Sequence, residues 1–362
     1  MQPCASVDAL PPPFPPDRCP GILRPHVAAD GALVRLRVPG GQVPDGALRA
    51  LSDASIAYAD GDVHLTSRGN LQLRGIALDE GGAVPTGLAD AVAVAGLLPS
   101  ASHERVRNIV ASPLSGLVGG LADVRPLVRE LDTGLCADPV LADLPGRFLF
   151  GLDDGRGDIA ALRCDLTAVA LDDGTARIVV GGLDGPTVPL AEAPETLLRL
   201  ARRFVEIRGS VWHVRQLPRA GAELGGTDPA PRPPAFTMPY GVLGDAVSVL
   251  VPLGILTPAM VAALPDRGVV VTPWRGLILP SGSDLVALRG TGLETAPDSA
   301  WQRVTACTGA PGCSLAEGDT RALARRIVAG NTIDSRIHVV GCERACGAPH
   351  SSHRLVFARS TP

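Results

Sequence analysis

Two cysteine pairs toward the end of the sequence have the types and spacing for joint chemistry: Cys307-Thr-Gly-Ala-Pro-Gly-Cys313 and Cys342-Glu-Arg-Ala-Cys346. Four thiolates drawn from about forty residues suit an iron–sulfur cubane, which cysteine sulfurs hold at four corners. Gly309, Pro311, Gly312 and Gly347 allow tight backbone around a bulky inorganic core. Structural zinc usually takes C-x2-C or C-x4-C knuckles, which these pairs do not match. Leu315, Leu323, Ile327 and Val328 predict a helix over 314–329, placing Cys313 near a helix N-terminus, where the dipole favours a thiolate. The remaining cysteines, Cys4, Cys19, Cys136 and Cys164, are scattered, the pattern of reduced thiols in a cytoplasmic protein.

The second chemical feature is an absence. All 33 basic residues are arginine. A skewed genomic composition would produce this, but it constrains chemistry all the same: no Schiff-base lysine, no P-loop lysine and no lysine general base. Anions must be met by guanidinium forks, which bind carboxylates bidentately. A net charge of −4 and 3% aromatic residues leave neither a basic field nor stacking platforms for nucleic acid. No apolar run has transmembrane length, and Met1–Leu10 lacks the basic and apolar regions of a secretory signal.

The elements that must position these residues follow a pattern that returns. Ala32–Val38 alternates as a strand, Val43-Pro44-Asp45 opens a helix, and Asp62–Thr66 and Asn70–Ile76 read as strands around Ser67-Arg68-Gly69. A helix follows over 86–98. Later, Ala246–Val251, a helix from Thr257-Pro258, and strands Val269–Thr272 and Gly276–Leu279 around Pro273-Trp274-Arg275 repeat the order. An internal duplication explains this, with an Arg-Gly turn in each copy. Between the copies, 123–132 and 194–206 read as helices and 147–152, 158–164 and 176–181 as strands, with Asp153-Asp154-Gly155 and Asp172-Asp173-Gly174 as turns. The final segment adds strands over 336–341 and 353–358. The organisation expected is an extended Pro-rich arm over 1–20, half-domains over 21–99 and 240–297, a middle unit over 100–217, a Pro/Gly-rich linker over 218–239 and a cysteine-bearing unit over 298–362.

Three stretches together resemble one family. His64-Leu65-Thr66-Ser67-Arg68-Gly69-Asn70-Leu71-Gln72-Leu73-Arg74-Gly75, then Val106-Arg107-Asn108-Ile109-Val110, then the four cysteines are similar, in this order, to the sulfite and nitrite reductases. The resemblance runs from about residue 20 to 358. It implies an α+β, nitrite/sulfite reductase-like fold: two duplicated ferredoxin-like half-domains plus two α/β domains, the last carrying the cluster. It further implies that Cys307, Cys313, Cys342 and Cys346 hold a [4Fe–4S] cluster, with Cys346 at the position that bridges to a haem iron in siroheme members. Arg68 and Arg107 would face the tetrapyrrole and the reacting centre, with Arg74, Arg147 and Asn108 also at the tetrapyrrole site. Arg35, Arg37 and Arg105 are further candidates for its carboxylates.

Two departures shift the expected chemistry. Leu144-Pro145-Gly146-Arg147-Phe148-Leu149 resembles the family loop with two active-site lysines, but Arg147 replaces the first and Leu149 the second. Reducing a small anion by six electrons needs dense positive charge and proton donors. The chain is also short and stops soon after Cys346. Cys19-Pro-Gly-Ile-Leu-Arg-Pro and Cys307-Thr-Gly-Ala-Pro-Gly-Cys313-Ser-Leu-Ala are similar to the cobalamin-pathway branch of the family. That likeness implies precorrin-3A and O2 as substrates, hydroxylation at C20 with γ-lactone formation, and electrons that come formally from NADH. No G-x-G-x-x-G follows a strand, so a separate reductase is expected to deliver them. The branch is associated with a mononuclear non-haem iron, usually bound by two histidines and a carboxylate; His350, His353 and Glu343 are the only local grouping. Siroheme with sulfite or nitrite is the alternative, and a non-catalytic iron–sulfur electron carrier the third reading.

Overall fold

The computed structural model describes residues 17–234, 236–330, 333–349 and 351–359. The expected arm therefore lies almost wholly outside the described residues, as does His350. In chain order the first unit is β1 (His26–Ala28), β2 (Gly31–Leu36), α1 (Ala47–Tyr58), β3 (Val63–Leu65), β4 (Leu71–Ile76) and α2 (Thr86–Val94). The middle unit is β5 (Ile109–Ala111), α3 (Arg125–Ala137), β6 (Phe150–Asp153), β7 (Leu166–Ala170), β8 (Thr175–Val180), β9 (Leu183–Pro189) and α4 (Ala193–Ile207). Next come β10 (Gly241–Leu243), β11 (Ala246–Leu250), β12 (Ile255–Leu256), α5 (Pro258–Ala263), β13 (Val270–Val271), β14 (Gly276–Pro280) and α6 (Leu285–Gly290). The last unit is β15 (Val304–Ala306), α7 (Thr320–Gly330), β16 (Ile337–Val340) and β17 (Arg354–Phe357). Among the described residues no helix is long and apolar enough to cross a membrane.

The two similar units interlock. Their sheets run β1-β2-β4-β3-β12 and β10-β11-β14-β13, so β12 leaves its own unit and pairs with β3, Ile255 opposite His64. The reciprocal contact is a bridge between Gln42 and Val270. Each crossing follows a short 3-10 turn led by a proline, Pro39–Gly41 or Pro252–Gly254. The turn's last glycine lies flat on the other unit. A Cβ on Gly254 would stand 3.2 Å from the Leu65 carbonyl oxygen, and one on Gly41 would fall on that of Val271. One apolar core runs through both units, joining Leu51, Leu71 and Leu73 to Val249, Leu277 and Leu279.

The β3–β4 and β13–β14 turns are bonded alike. Thr66 Oγ1 accepts from Asn70 N–H and Thr272 Oγ1 from Gly276 N–H, each at 3.1 Å. This superposition moves the expected match by one residue. Arg275 (φ 58°) stands where Gly69 (φ 64°) stands in the first copy, and Trp274 answers Arg68. The Arg-Gly dipeptides are therefore not equivalent.

In the middle unit β5-β6-β7-β8-β9 form one sheet, parallel through β7 and antiparallel beyond. α4 lays Leu197, Leu200, Ala201 and Phe204 on it, with Phe204 packed 5.0 Å from Phe148, ring centre to ring centre. Burying each large side chain contributes about 1.5–3 kcal/mol. The strand expected over 158–164 is a loop. The Asp153 carboxylate draws in the N–H groups of Gly155, Gly157, Ile159 and Ala160, so these amides cannot join a ladder. The neighbouring strand is instead β7. The 218–239 stretch is irregular but strapped down: Thr227 N–H donates to the Asp184 carbonyl, Asp184 N–H donates to that of Asp228, and Leu224 and Met238 are buried.

The last unit is a parallel sheet, β15-β16-β17, under α7. The helix expected from 314 starts at Thr320. Asp319 accepts from the N–H groups of Arg321 and Ala322 and acts as the N-cap, and Gly318 lies against the Ala358 carbonyl. Cys313 is therefore in the preceding loop and has no helix terminus behind it.

Candidate functional site

Parallel pairing brings the two cysteine pairs to one edge. Ala306 is level with Val339, so Cys307 leaves β15 where β16 approaches Cys342. Cys307 N–H donates to Val339 O (3.0 Å), Gly341 N–H points at Cys307 Sγ (3.4 Å), and Thr320 Oγ1 donates to Cys307 O (2.7 Å). Cys313 follows Gly312, whose carbonyl accepts from Arg74 Nη2 (3.0 Å). The Cys346 carbonyl faces Nε2 of buried His338 (3.2 Å), whose Nδ1 meets Thr305 Oγ1 (2.9 Å). Left-handed Ala345, Gly347 and Gly309 turn the chain around this edge. The donor set is sulfur alone, with a backbone amide aimed at one sulfur and no disulfide among the described cysteines. That chemistry fits an iron–sulfur cluster, whose sulfurs accept amide hydrogen bonds.

A cleft of about 780 Å³ opens beside this edge, walled by all but the middle unit. Its lining includes Cys307 and Cys346, with His64–Ser67 and Gln72 from the first unit and Leu253 and Gly254 from the second. Four arginines, Arg35, Arg74, Arg275 and Arg321, also line it. Arg74 is spoken for, forked onto Asp30 at 3.0 and 2.9 Å. Arg35 gives Nη2 to Gln72 Oε1 (3.1 Å) and keeps a buried Nε without a partner. Arg275 and Arg321 have no hydrogen-bond or carboxylate partner for their guanidinium groups among the described residues. Burial depresses both below the ordinary arginine range, and Arg74 adds to the effect at Arg321. Asp60 and Asp30 act on Arg321 from beyond ion-pair distance, so both part-dry guanidinium groups keep donors free for an anionic ligand.

The other expected residues lie elsewhere. Arg107, expected at the reacting centre, is turned into α3 and forked onto Asp132, both bonds 2.7 Å. Asn108 is a joint: it accepts from Asn70 Nδ2 (3.2 Å) and donates to the Arg105 and Gly146 carbonyls. Arg147 is exposed, its guanidinium 5.7 Å from the centre of the Trp212 ring. Arg68 is a neighbour of Cys19, Asp165 and Arg147, and burial lowers its pKa. Arg37 is fully buried behind Arg35 with Nη1 and Nη2 unpartnered, pushed down to about 9 by burial and then by Arg35. Leu149 is buried in an apolar cluster with Val110, Ile159 and Cys164. His353 bonds the Ser351 carbonyl and sits edge-on to His338, and Glu343 is exposed. Asp153, Asp154 and Asp158 converge, but Asp153 is saturated by amides and Asp154 by Arg156. Sequence reasoning did not single out Arg275 or Arg321. The signal for Arg275 was a non-glycine residue at a turn position that is glycine in the first copy.

Residues 26–89 match the nitrite/sulfite reductase ferredoxin-like half domain. Over most of its length the chain is similar to oxidoreductases of the nitrite/sulfite reductase family. It is 28% identical to a ferredoxin–nitrite reductase of Synechococcus elongatus, over 91% of this chain and 76% of that one. It is 27% identical to a precorrin-3B synthase of a Sinorhizobium species, over 92% and 79%. Among solved structures it resembles the NirA protein of Mycobacterium tuberculosis, with a TM-score of 0.67 at 20% identity over 87% of this chain and 68% of that one. At that identity the likeness is one of fold, over 87% of this chain.

Proposed function

We propose that the cleft takes a tetrapyrrole bearing several carboxylates, and that the protein is a precorrin-3B synthase, hydroxylating precorrin-3A at C20 with O2 and closing the γ-lactone. The observation that carries this is the pair Arg275 and Arg321, cations without partners facing the space beside Cys307 and Cys346. A polycarboxylate macrocycle would meet them as charge-assisted pairs. The four cysteines would hold a [4Fe–4S] cluster, which supplies single electrons when bound. Leu149 supports oxygen chemistry over anion reduction: the family's second cation is replaced by a side chain packed into an apolar cluster, and Arg147 turns toward Trp212. A siroheme reductase is the second reading, favoured by the equal likeness to a ferredoxin–nitrite reductase.

The visible spectrum of protein purified without oxygen tests this directly. The expected result is a cluster-only spectrum, with conversion of added precorrin-3A once O2 and an electron donor are supplied. Strong haem-type bands in the red, with nitrite or sulfite turnover, would overturn it. Arg275→Ala is expected to weaken precorrin-3A binding about tenfold, the effect of one lost charge-assisted pair.

A further inference from the structure

His64 lines the same cleft and is the one imidazole in its lining, a side chain that can both give and take a proton. The four arginines around it stay charged, so they can bind an anion but cannot pass a proton. His64 is held as an acid–base group would be. Its Nε2 lies 2.8 Å from Asp60 Oδ2, and its side chain is 7% exposed against 29% for Asp60. With the carboxylate accepting from Nε2–H, the neutral ring keeps its lone pair on Nδ1, which has no protein partner among the described residues. Backbone pairing fixes the ring's origin on both sides, because His64 sits between Gln72 of β4 and Ile255 of β12. The charged groups around it are Asp60 and Asp62 just before β3, Arg35 on β2, Arg74 on β4, Arg275 on the β13–β14 turn, and Arg321 and Arg325 on α7.

We propose that His64 is the proton-transfer residue of this cleft, oriented by Asp60 and resupplied from solvent through it. The proposal rests on the reading that the cleft is where O2 and the macrocycle react. A monooxygenation turns the substrate C–H into C–OH and releases the second oxygen atom as water. It consumes two electrons from the external donor and two protons. The imidazolium form of His64 gives its Nδ1 proton to the oxygen that leaves as water, the neutral ring regains a proton from solvent, and a second transfer through the same ring supplies the other proton.

The test compares wild type with His64→Gln and Asp60→Asn, measuring anaerobic binding of precorrin-3A by absorbance titration and turnover under O2 from pH 5.5 to 8.5. The expected result for His64→Gln is binding within about threefold of wild type, turnover lower by about 10²-fold, and loss of the near-neutral limb of the pH profile. Asp60→Asn should keep the limb and move it toward lower pH, because the imidazolium loses its counter-ion. A His64→Gln protein with wild-type turnover and an unchanged profile overturns the proposal, as does one whose binding falls in parallel with its turnover. Wild-type protein that does not bind precorrin-3A fails the functional reading instead. Nitrite turnover over the same pH range, in the same pair of proteins, then decides for or against His64, since that reduction also consumes protons.

Discussion

Removing Arg107 should unfold the middle unit before it affects the cleft. Its side chain is 5% exposed and its two bonds to Asp132 are both 2.7 Å, joining the β5 entry to the middle of α3. Deleting one partner of a buried, hydrogen-bonded ion pair costs about 3–5 kcal/mol, because the other charge is stranded. Asp132 keeps 21% of its side-chain surface and can rehydrate, which brings the expected loss for Arg107→Ala to about 2–3 kcal/mol. Urea unfolding at pH 7 measures it, and a double-mutant cycle with Asp132→Ala isolates the pair. The double variant should recover part of the loss, with a coupling of about 1–3 kcal/mol. Precorrin-3A binding by the folded fraction should stay near wild type. An Arg107→Ala protein with a wild-type unfolding midpoint and no macrocycle binding would refute this and restore Arg107 to the reacting centre.

Three further outcomes are expected. Burial raises Asp158 to about 7 from an ordinary 3.8, so the unfolded chain ionises first and stability is lost as pH rises from about 4 through 7. About three units at 1.36 kcal/mol each set a loss on the order of 4 kcal/mol. Asp158→Asn should therefore gain stability over wild type at pH 8 and little at pH 4 by urea titration. Gly41→Ala puts a Cβ on the Val271 carbonyl at a φ of 72°, so the joint between the duplicated units must open. A loss of about 2–5 kcal/mol in thermal unfolding is expected, against about 1 kcal/mol for Gly182→Ala, whose φ is 99° but whose Cβ would meet nothing. Cys307→Ser and Cys342→Ser should abolish most of the iron and acid-labile sulfide of protein purified without oxygen. Cys136→Ser and Cys164→Ser, which stand in the middle unit, should leave it unchanged.

The strands β2 and β4, the proline that starts α5, and the spacing of the cysteines were all legible in the sequence, because each depends on local geometry; α1 begins at Ala47, three residues after the proline expected to open it. What could not be read depended on distant partners. Nothing local said that Asp153 would take four amides and dissolve a strand, or that Asp319 would start α7 six residues late. The motif residues show the same limit. Arg107 and Asn108 are polar residues inside a family-like stretch, and such residues serve equally well as ligand contacts or as joints between units. Here Asn70, Asn108 and the Gly146 carbonyl form one chain of bonds that fixes two loops to each other, and Arg107 fixes a third. The duplication explains where ligand-facing charge comes from instead. Two copies of one turn share a threonine lock and a left-handed residue. In the first copy that residue is Gly69, which has no side chain to offer. In the second it is Arg275, held at a φ of 58° that costs an L-residue about 1–2 kcal/mol. Nothing in the turn needs that side chain, whose guanidinium instead reaches the Gly347 backbone beside Cys346. A strained residue whose only evident use is to carry charge into a cleft is better explained by a ligand than by the fold. The two halves share this backbone turn, and at this position only the second carries a charge to the cleft.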